Sequence, residues 1–185
     1  MTLHFRSDRP SKPRLVVLAD VSGSMAEYSA FTLSLLEALR AELRSLRCFV
    51  FVDGAAELSA ETLSQPYLHA LRLPLLPGVV AGDGHSDYGA AFTRFAGIAG
   101  DALSPTTTLL VIGDGRTRGA DDGEATFAVI ARRVRSLYWL TPESEAEWAS
   151  SGCNLERFRP HCDRVDQVVT LRQLERWVGR VVLSR

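Results

Sequence analysis

Leu15-Val-Val-Leu-Ala-Asp-Val-Ser-Gly-Ser-Met25 joins a short apolar run to an oxygen-rich turn, and its reading decides the fold. The run from Arg14 to Ala19 is too short for a surface helix, is rich in Val and Leu, and follows Pro10 and Pro13, which makes it a buried strand. Asp20, Ser22 and Ser24 then place oxygen side chains at alternate positions, with Gly23 allowing a tight turn. Beyond Met25, Phe31, Leu35, Leu39, Leu43 and Leu46 recur at helical spacing, the stripe of a helix lying on a sheet. Strand, polar loop and helix form the front of a βαβ unit. Capping a helix needs one Ser or Asp; three oxygens in five residues exceed that need and point to an ion site.

The pattern repeats along the chain. Cys48 to Val52 reads as a second buried strand ending in Asp53-Gly54, with a short edge strand over Ala56 to Ser59. Between Glu61 and Pro77, three prolines limit any helix to a turn or two. Gly82-Asp-Gly-His-Ser-Asp-Tyr-Gly89 is a second polar loop opening a helix, whose inner face is Tyr88, Ala91, Phe92, Phe95 and Ala99. Thr106 to Ile112 is a β-branched strand closed by Gly113-Asp114-Gly115. A helix with Phe127, Ile130, Ala131 and Val134 inward follows, then a strand over Leu137 to Leu140. A last strand over Val165 to Val169 precedes a terminal helix marked by Leu171, Leu174, Val178, Val181 and Val182. Glu143 to Asp163 reads as polar loop with at most a short helix.

Strands alternating with helices predict a three-layer, doubly wound α/β fold: a mostly parallel sheet with helices on both faces and one short antiparallel edge strand. In such sheets the loops at the carboxyl ends of the strands share one edge, where ligands bind. The order 3-2-1-4-5-6 makes the first and fourth strands neighbours, bringing Asp20, Ser22 and Ser24 beside Asp114, with the Ser86 loop crossing over them. Residues 1–13 read as a lead-in or linker stub and 14–185 as a single domain.

Composition bounds the rest. The chain has 185 residues, 21 Lys and Arg against 22 Asp and Glu, and a net charge of −1, with no basic track for nucleic acid. No apolar run reaches the roughly 20 residues of a membrane span and the start has no signal-peptide core, so the expectation is a cytoplasmic protein. Arg132, Arg133 and Arg135 read as a solvated helix end, and Asp121-Asp122-Gly123-Glu124 as the acidic start of that helix. Three cysteines, Cys48, Cys153 and Cys162, form no disulfide framework, and Cys153, His161 and Cys162 lack zinc-site spacing.

Asp20-Val-Ser-Gly-Ser24, Ser86 and Asp114 together resemble the metal-ion-dependent adhesion site of von Willebrand factor type A (vWA) domains, a Rossmann-like family. The first motif there is Asp-x-Ser-x-Ser; Ser86 stands where the family usually has Thr, and Asp114 is the third motif. The resemblance implies a divalent cation, Mg²⁺ first and Mn²⁺ or Ca²⁺ next, with Asp20, Ser22, Ser24, Ser86 and Asp114 as its site. The hydroxyls would bind directly and the carboxylates often through water. Hard oxygens from three loops suit such an ion.

Leu18-Ala-Asp-Val-Ser-Gly-Ser-Met25, the Gly-x-Gly-x-Ser-Asp-Tyr-Gly loop, Ile112-Gly-Asp-Gly-Arg116 and Leu137-Tyr-Trp-Leu-Thr-Pro142 are similar to the bacterial CoxE-like branch. That resemblance implies a non-catalytic protein-binding module, acting with a MoxR-type AAA+ ATPase in maturation of a client, and a partner that offers an acidic residue to the metal. The rival reading is a Mg-dependent phosphatase of the haloacid-dehalogenase type. Its second Asp, two residues after the nucleophile, is here Ser22, and Lys12 in the lead-in is the only lysine. A serine hydrolase is weaker still, since Gly84-His-Ser-Asp-Tyr88 lacks the final Gly of a nucleophile elbow.

Overall fold

Strand β1 (Arg14–Asp20) lies between two parallel neighbours, β2 (Leu46–Phe51) and β4 (Thr107–Ile112). The computed structural model describes residues 14–28, 32, 35, 36, 39, 45–59, 77–80, 85–150 and 152–181. Beyond β2, the short β3 (Ala55–Glu57) pairs antiparallel; beyond β4 come β5 (Ser136–Thr141) and β6 (Arg164–Gln167), both parallel. The six-stranded order is β3-β2-β1-β4-β5-β6, the expected arrangement with its single antiparallel edge pair. Besides helical residues after β1, the α-helices with described bounds are α1 (Tyr88–Ala99), α2 (Glu124–Arg133), the one-turn α3 (Leu155–Phe158) and α4 (Leu171–Val181). The lead-in over 1–13, the turn or helix expected over 61–76 and Gly82 to Gly84 lie outside the described residues, as does Val182.

Both faces of the central strands are buried, which is why they read as continuous apolar runs. Successive side chains alternate between faces. Val16 and Leu18 join Phe49, Phe51, Leu109, Val111 and Trp139 under α1 and α2. Leu15, Val17 and Ala19 join Cys48, Val50, Leu110 and Ile112 on the other face, with Leu35, Leu36, Leu39, Leu174 and Trp177. The inner face of α1 is as expected: Tyr88, Ala91, Phe92, Phe95 and Ala99 are all buried. Asp87 caps this helix, its carboxylate accepting from the Ala90 N–H at 2.9 Å. At the start of α2, Asp121 and Asp122 accept from the Gly123 and Glu124 N–H groups, and Gly123 is left-handed (φ 79°).

The structure moves several boundaries. Leu46 opens β2 opposite Leu15 instead of ending the first helix; an apolar residue at the seam satisfies both periods, and the backbone pairing with β1 decides. Leu35 and Leu39 are helical and buried as expected, while Phe31 and Leu43 fall outside the described residues. Val134 is half-buried just past the end of α2. Val169 lies beyond β6 and is 42% exposed. Trp177, not marked by the sequence reading, is the largest side chain α4 buries. The segment from Glu143 to Asp163 is less loop-like than its polarity implies: Trp148, Cys153, Leu155 and Phe158 are buried in the α1–α2 layer.

Candidate functional site

Asp20 is the last residue of β1, and its side chain is fully buried at the carboxyl edge of the sheet. Both its oxygens are engaged. Oδ1 accepts from the Ser22 N–H at 2.8 Å and from Ser86 Oγ at 3.2 Å; Oδ2 accepts from Ser86 Oγ at 3.0 Å and Tyr88 Oη at 2.9 Å. The turn after β1 folds back so that Ser22 Oγ and Ser24 Oγ lie 3.1 Å apart. Ser22 and Ser86 are buried and Ser24 is exposed, so the hydroxyls run from the site's floor to its mouth.

Asp114 follows β4 and is 2% exposed. Its Oδ1 accepts the Arg116 N–H at 2.8 Å, and the Ser24 hydroxyl also bonds its carboxylate. The Ser86 loop is tied on two sides, by the Asp87 N–H to the Val52 carbonyl at 3.1 Å and by the Arg118 N–H to the Ser86 carbonyl at 3.0 Å. Thus Asp20, Ser22, Ser24, Ser86 and Asp114, taken from three separate loops, meet at one place. Strand order does this: β1 and β4 are neighbours, and the loop into α1 crosses their ends.

A family model for VWA domain containing CoxE-like proteins matches residues 1–177. The chain belongs to this family. No curated protein matches it at a significant level. Solved structures similar to this CoxE-like chain include a von Willebrand factor type A protein from Catenulispora acidiphila, with 14% identity over 90% of this chain and 41% of that one at a TM-score of 0.59. Manganese-loaded TRAP protein of Plasmodium vivax is 13% identical over 90% of this chain and 72% of that one, TM-score 0.55. Proximal thread matrix protein 1 from mussel byssus, with a zinc-occupied MIDAS motif, is 13% identical over 92% and 47%, TM-score 0.56. At these identities the likeness shows the fold alone, and that fold is the vWA domain.

Electrostatics of the CoxE-like site are dominated by burial. Asp20 is raised from 3.8 to about 7, by loss of solvent first and by the charge of Asp114 second, against the opposing bonds from Ser22 and Tyr88. No Arg, Lys or His stands among the groups acting most strongly on it. Burial also raises Asp114, against the Arg116 N–H and Ser24 bonds. Among the described residues no three His, Cys, Asp or Glu side chains gather as a metal cluster; the donors here are three hydroxyls and two carboxylates. Because Ser86 gives its proton to Asp20, its lone pairs remain free to meet a cation. Hard oxygens and excess buried negative charge, with no soft donor among these five side chains, fit Mg²⁺ or Mn²⁺.

Three features of the CoxE-like chain escaped the sequence reading. Tyr88, read as helix core, also touches Asp20 through its hydroxyl. Arg116, after the third motif, is paired through Nε with Glu143 Oε1 at 2.8 Å. Trp139 Nε1 donates to the Gly113 carbonyl at 2.9 Å, fixing the turn that carries Asp114. The signal for Tyr88 was its place two residues after Ser86 in a ligand loop. Cys153 is buried against the Asp114 carbonyl and Cys162 is half-buried, both as free thiols.

Proposed function

We propose that residues 14–185 work as one vWA domain that binds a divalent cation, Mg²⁺ or Mn²⁺, and through it an acidic residue of a protein partner, without catalysing a reaction. The observation that carries this reading is a pair of buried, mutually repelling carboxylates beside three hydroxyls, with no buried cationic side chain set against Asp20 among the described residues. A cation removes that repulsion. Ser22, Ser24 and Ser86 would contact it directly. Asp20, whose oxygens already accept protein donors, and Asp114, held by Arg116 and Ser24, would act mainly through its waters. The metals named for the TRAP and byssus proteins support such an ion here. Neutral hydroxyls as direct ligands leave the ion with coordination positions filled by water, one of which a partner's carboxylate can replace.

In the CoxE-like setting the partner we favour is a MoxR-type AAA+ ATPase or its client, in the cytoplasm. Among the described residues no helix is long and apolar enough to cross a membrane. The phosphatase alternative has little support, since Asp20 is fully buried and both its oxygens are occupied, a poor nucleophile.

A carboxylate probe tests the reading. The peptide acetyl-Gly-Glu-Gly-amide should displace water from the Mn²⁺-loaded protein, seen as a fall in water proton relaxation, while the Gln peptide should not. Ser22→Asp should keep Mn²⁺ but lose the response to the Glu peptide. Equal responses to both peptides, or a parent unaffected by chelator, would contradict the bridging role. Turnover of a generic phosphate ester that disappears in Asp20→Asn would replace it with the phosphatase.

A further inference from the structure

We propose that Tyr88 is the positioning residue of this site, its hydroxyl locking the Asp20 carboxylate to the Gly113–Gly115 turn so that the two acidic loops present their oxygens as one unit. The inference rests on the cation reading above.

The geometry is directional. Tyr88 Oη lies 3.0 Å from the Gly115 nitrogen and 2.9 Å from Asp20 Oδ2. An N–H can only donate, so the phenol accepts from Gly115, and its single proton is left for Asp20. One hydroxyl therefore joins the loop after β1 to the loop after β4. From Asp20 the same carboxylate fixes the proton of Ser86, and from Gly115 the turn leads back to Asp114. A break at Tyr88 would let each loop relax separately.

The hydroxyl is also held still. The ring is fully buried and packs against Phe51 at 5.0 Å, Phe92 at 5.5 Å, Trp139 at 5.8 Å and Phe158 at 5.9 Å between centroids. Its own N–H bonds Thr117 Oγ1 at 3.2 Å, anchoring the residue to the loop beyond Asp114. Gly113 leaves the space the hydroxyl needs, since a Cβ there would lie 2.4 Å from it. Phe would fill the same aromatic cluster; the added oxygen would be a burden in a core unless it were bonded, and here it is bonded twice. Placing that one polar atom is what distinguishes Tyr from Phe at this position.

Tyr88→Phe is compared with Phe51→Leu, which loosens the same cluster and leaves the hydroxyl in place. By the usual effect of losing an outer-shell partner, Tyr88→Phe should weaken Mn²⁺ binding by about 10–100-fold in calorimetry and alter the Mn²⁺ electron paramagnetic resonance spectrum. Phe51→Leu should lower the melting temperature yet retain the parent's affinity and spectrum. Parental affinity in Tyr88→Phe, or equal weakening in both variants, overturns the proposal. A measurement on the parent alone covers a Tyr88→Phe chain that fails to fold: the Gly115 amide should resist hydrogen exchange and shift when Mg²⁺ is added, and exchange at the rate of an open loop overturns it as well. If the parent itself takes up no Mn²⁺, the cation reading fails first and the role of Tyr88 falls with it.

Discussion

Replacing Gly113 with Ala asks how tightly the site is built. The new Cβ would stand 2.4 Å from Tyr88 Oη and 3.2 Å from Asp20 Cβ. Neither neighbour can yield freely: Tyr88 is fully buried among aromatic rings and Asp20 has both oxygens bonded. Overpacking a core of this kind costs about 1–3 kcal/mol. Moving the phenol away also loses a hydrogen bond to a carboxylate, worth about 1.5–3 kcal/mol. The two effects overlap, so the expected total is about 2–5 kcal/mol. For a chain of this size, at about 2–4 °C per kcal/mol, the melting temperature should fall by roughly 4–20 °C. Differential scanning calorimetry reads this directly. Gly97→Ala is the control: it lies in α1 with nothing within 4 Å of an added Cβ, and should stabilise by about 0.5–1 kcal/mol. If Gly113→Ala melts with the parent, the Tyr88–Asp20 contact is loose, and the reasoning from close approach is refuted.

Stability without metal should fall as pH rises. Asp20 holds its proton up to about 7 in the folded chain against 3.8 ordinarily, so the folded state binds the proton more tightly. The stability it contributes is therefore complete below about 3.8, is lost between there and about 7, and is flat above; Asp114 shifts in the same direction. Urea unfolding in chelator from pH 4 to 8 checks the slope, and stability rising through that window from this site would contradict it. Below pH 7, cation binding should release protons, read as a dependence of the binding heat on buffer ionisation. The thiols should be inert: Cys48 and Cys153 are buried, and burial with the charge of Asp163 pushes Cys162 up to about 12. Ellman's reagent at pH 8 should therefore react only as the chain unfolds, and a fast phase on the native protein would contradict that environment.

Much of this fold could be read from residue order because its strands are buried on both sides. Val16 to Ala19 and Leu109 to Ile112 are apolar without a break, and each is followed within two residues by an Asp in a glycine-containing turn, so strand, edge and loop were visible together. Neighbouring β1 and β4 then follow from the doubly wound order, which brings Asp20 and Asp114 to one edge. What stayed hidden depends on contacts between segments far apart in sequence. Tyr88 satisfies the apolar period of α1, and that period cannot say where its hydroxyl ends. Leu155 and Phe158 are separated by less than one helical turn and surrounded by charge, so no periodicity marks them, yet they close the layer beneath the site. The Arg116–Glu143 pair joins the ends of two adjacent strands and has no local signature.

Titration calorimetry of Mg²⁺ and Mn²⁺ into the parent, Asp20→Ala and Asp114→Ala tests the central claim most directly, with circular dichroism to check that each variant is folded. The account predicts one cation per parent chain and markedly weaker binding in both variants, whose substitutions lie at the sheet edge and leave both hydrophobic layers intact. A folded parent that takes up no cation, or variants that bind as tightly as the parent, would contradict it.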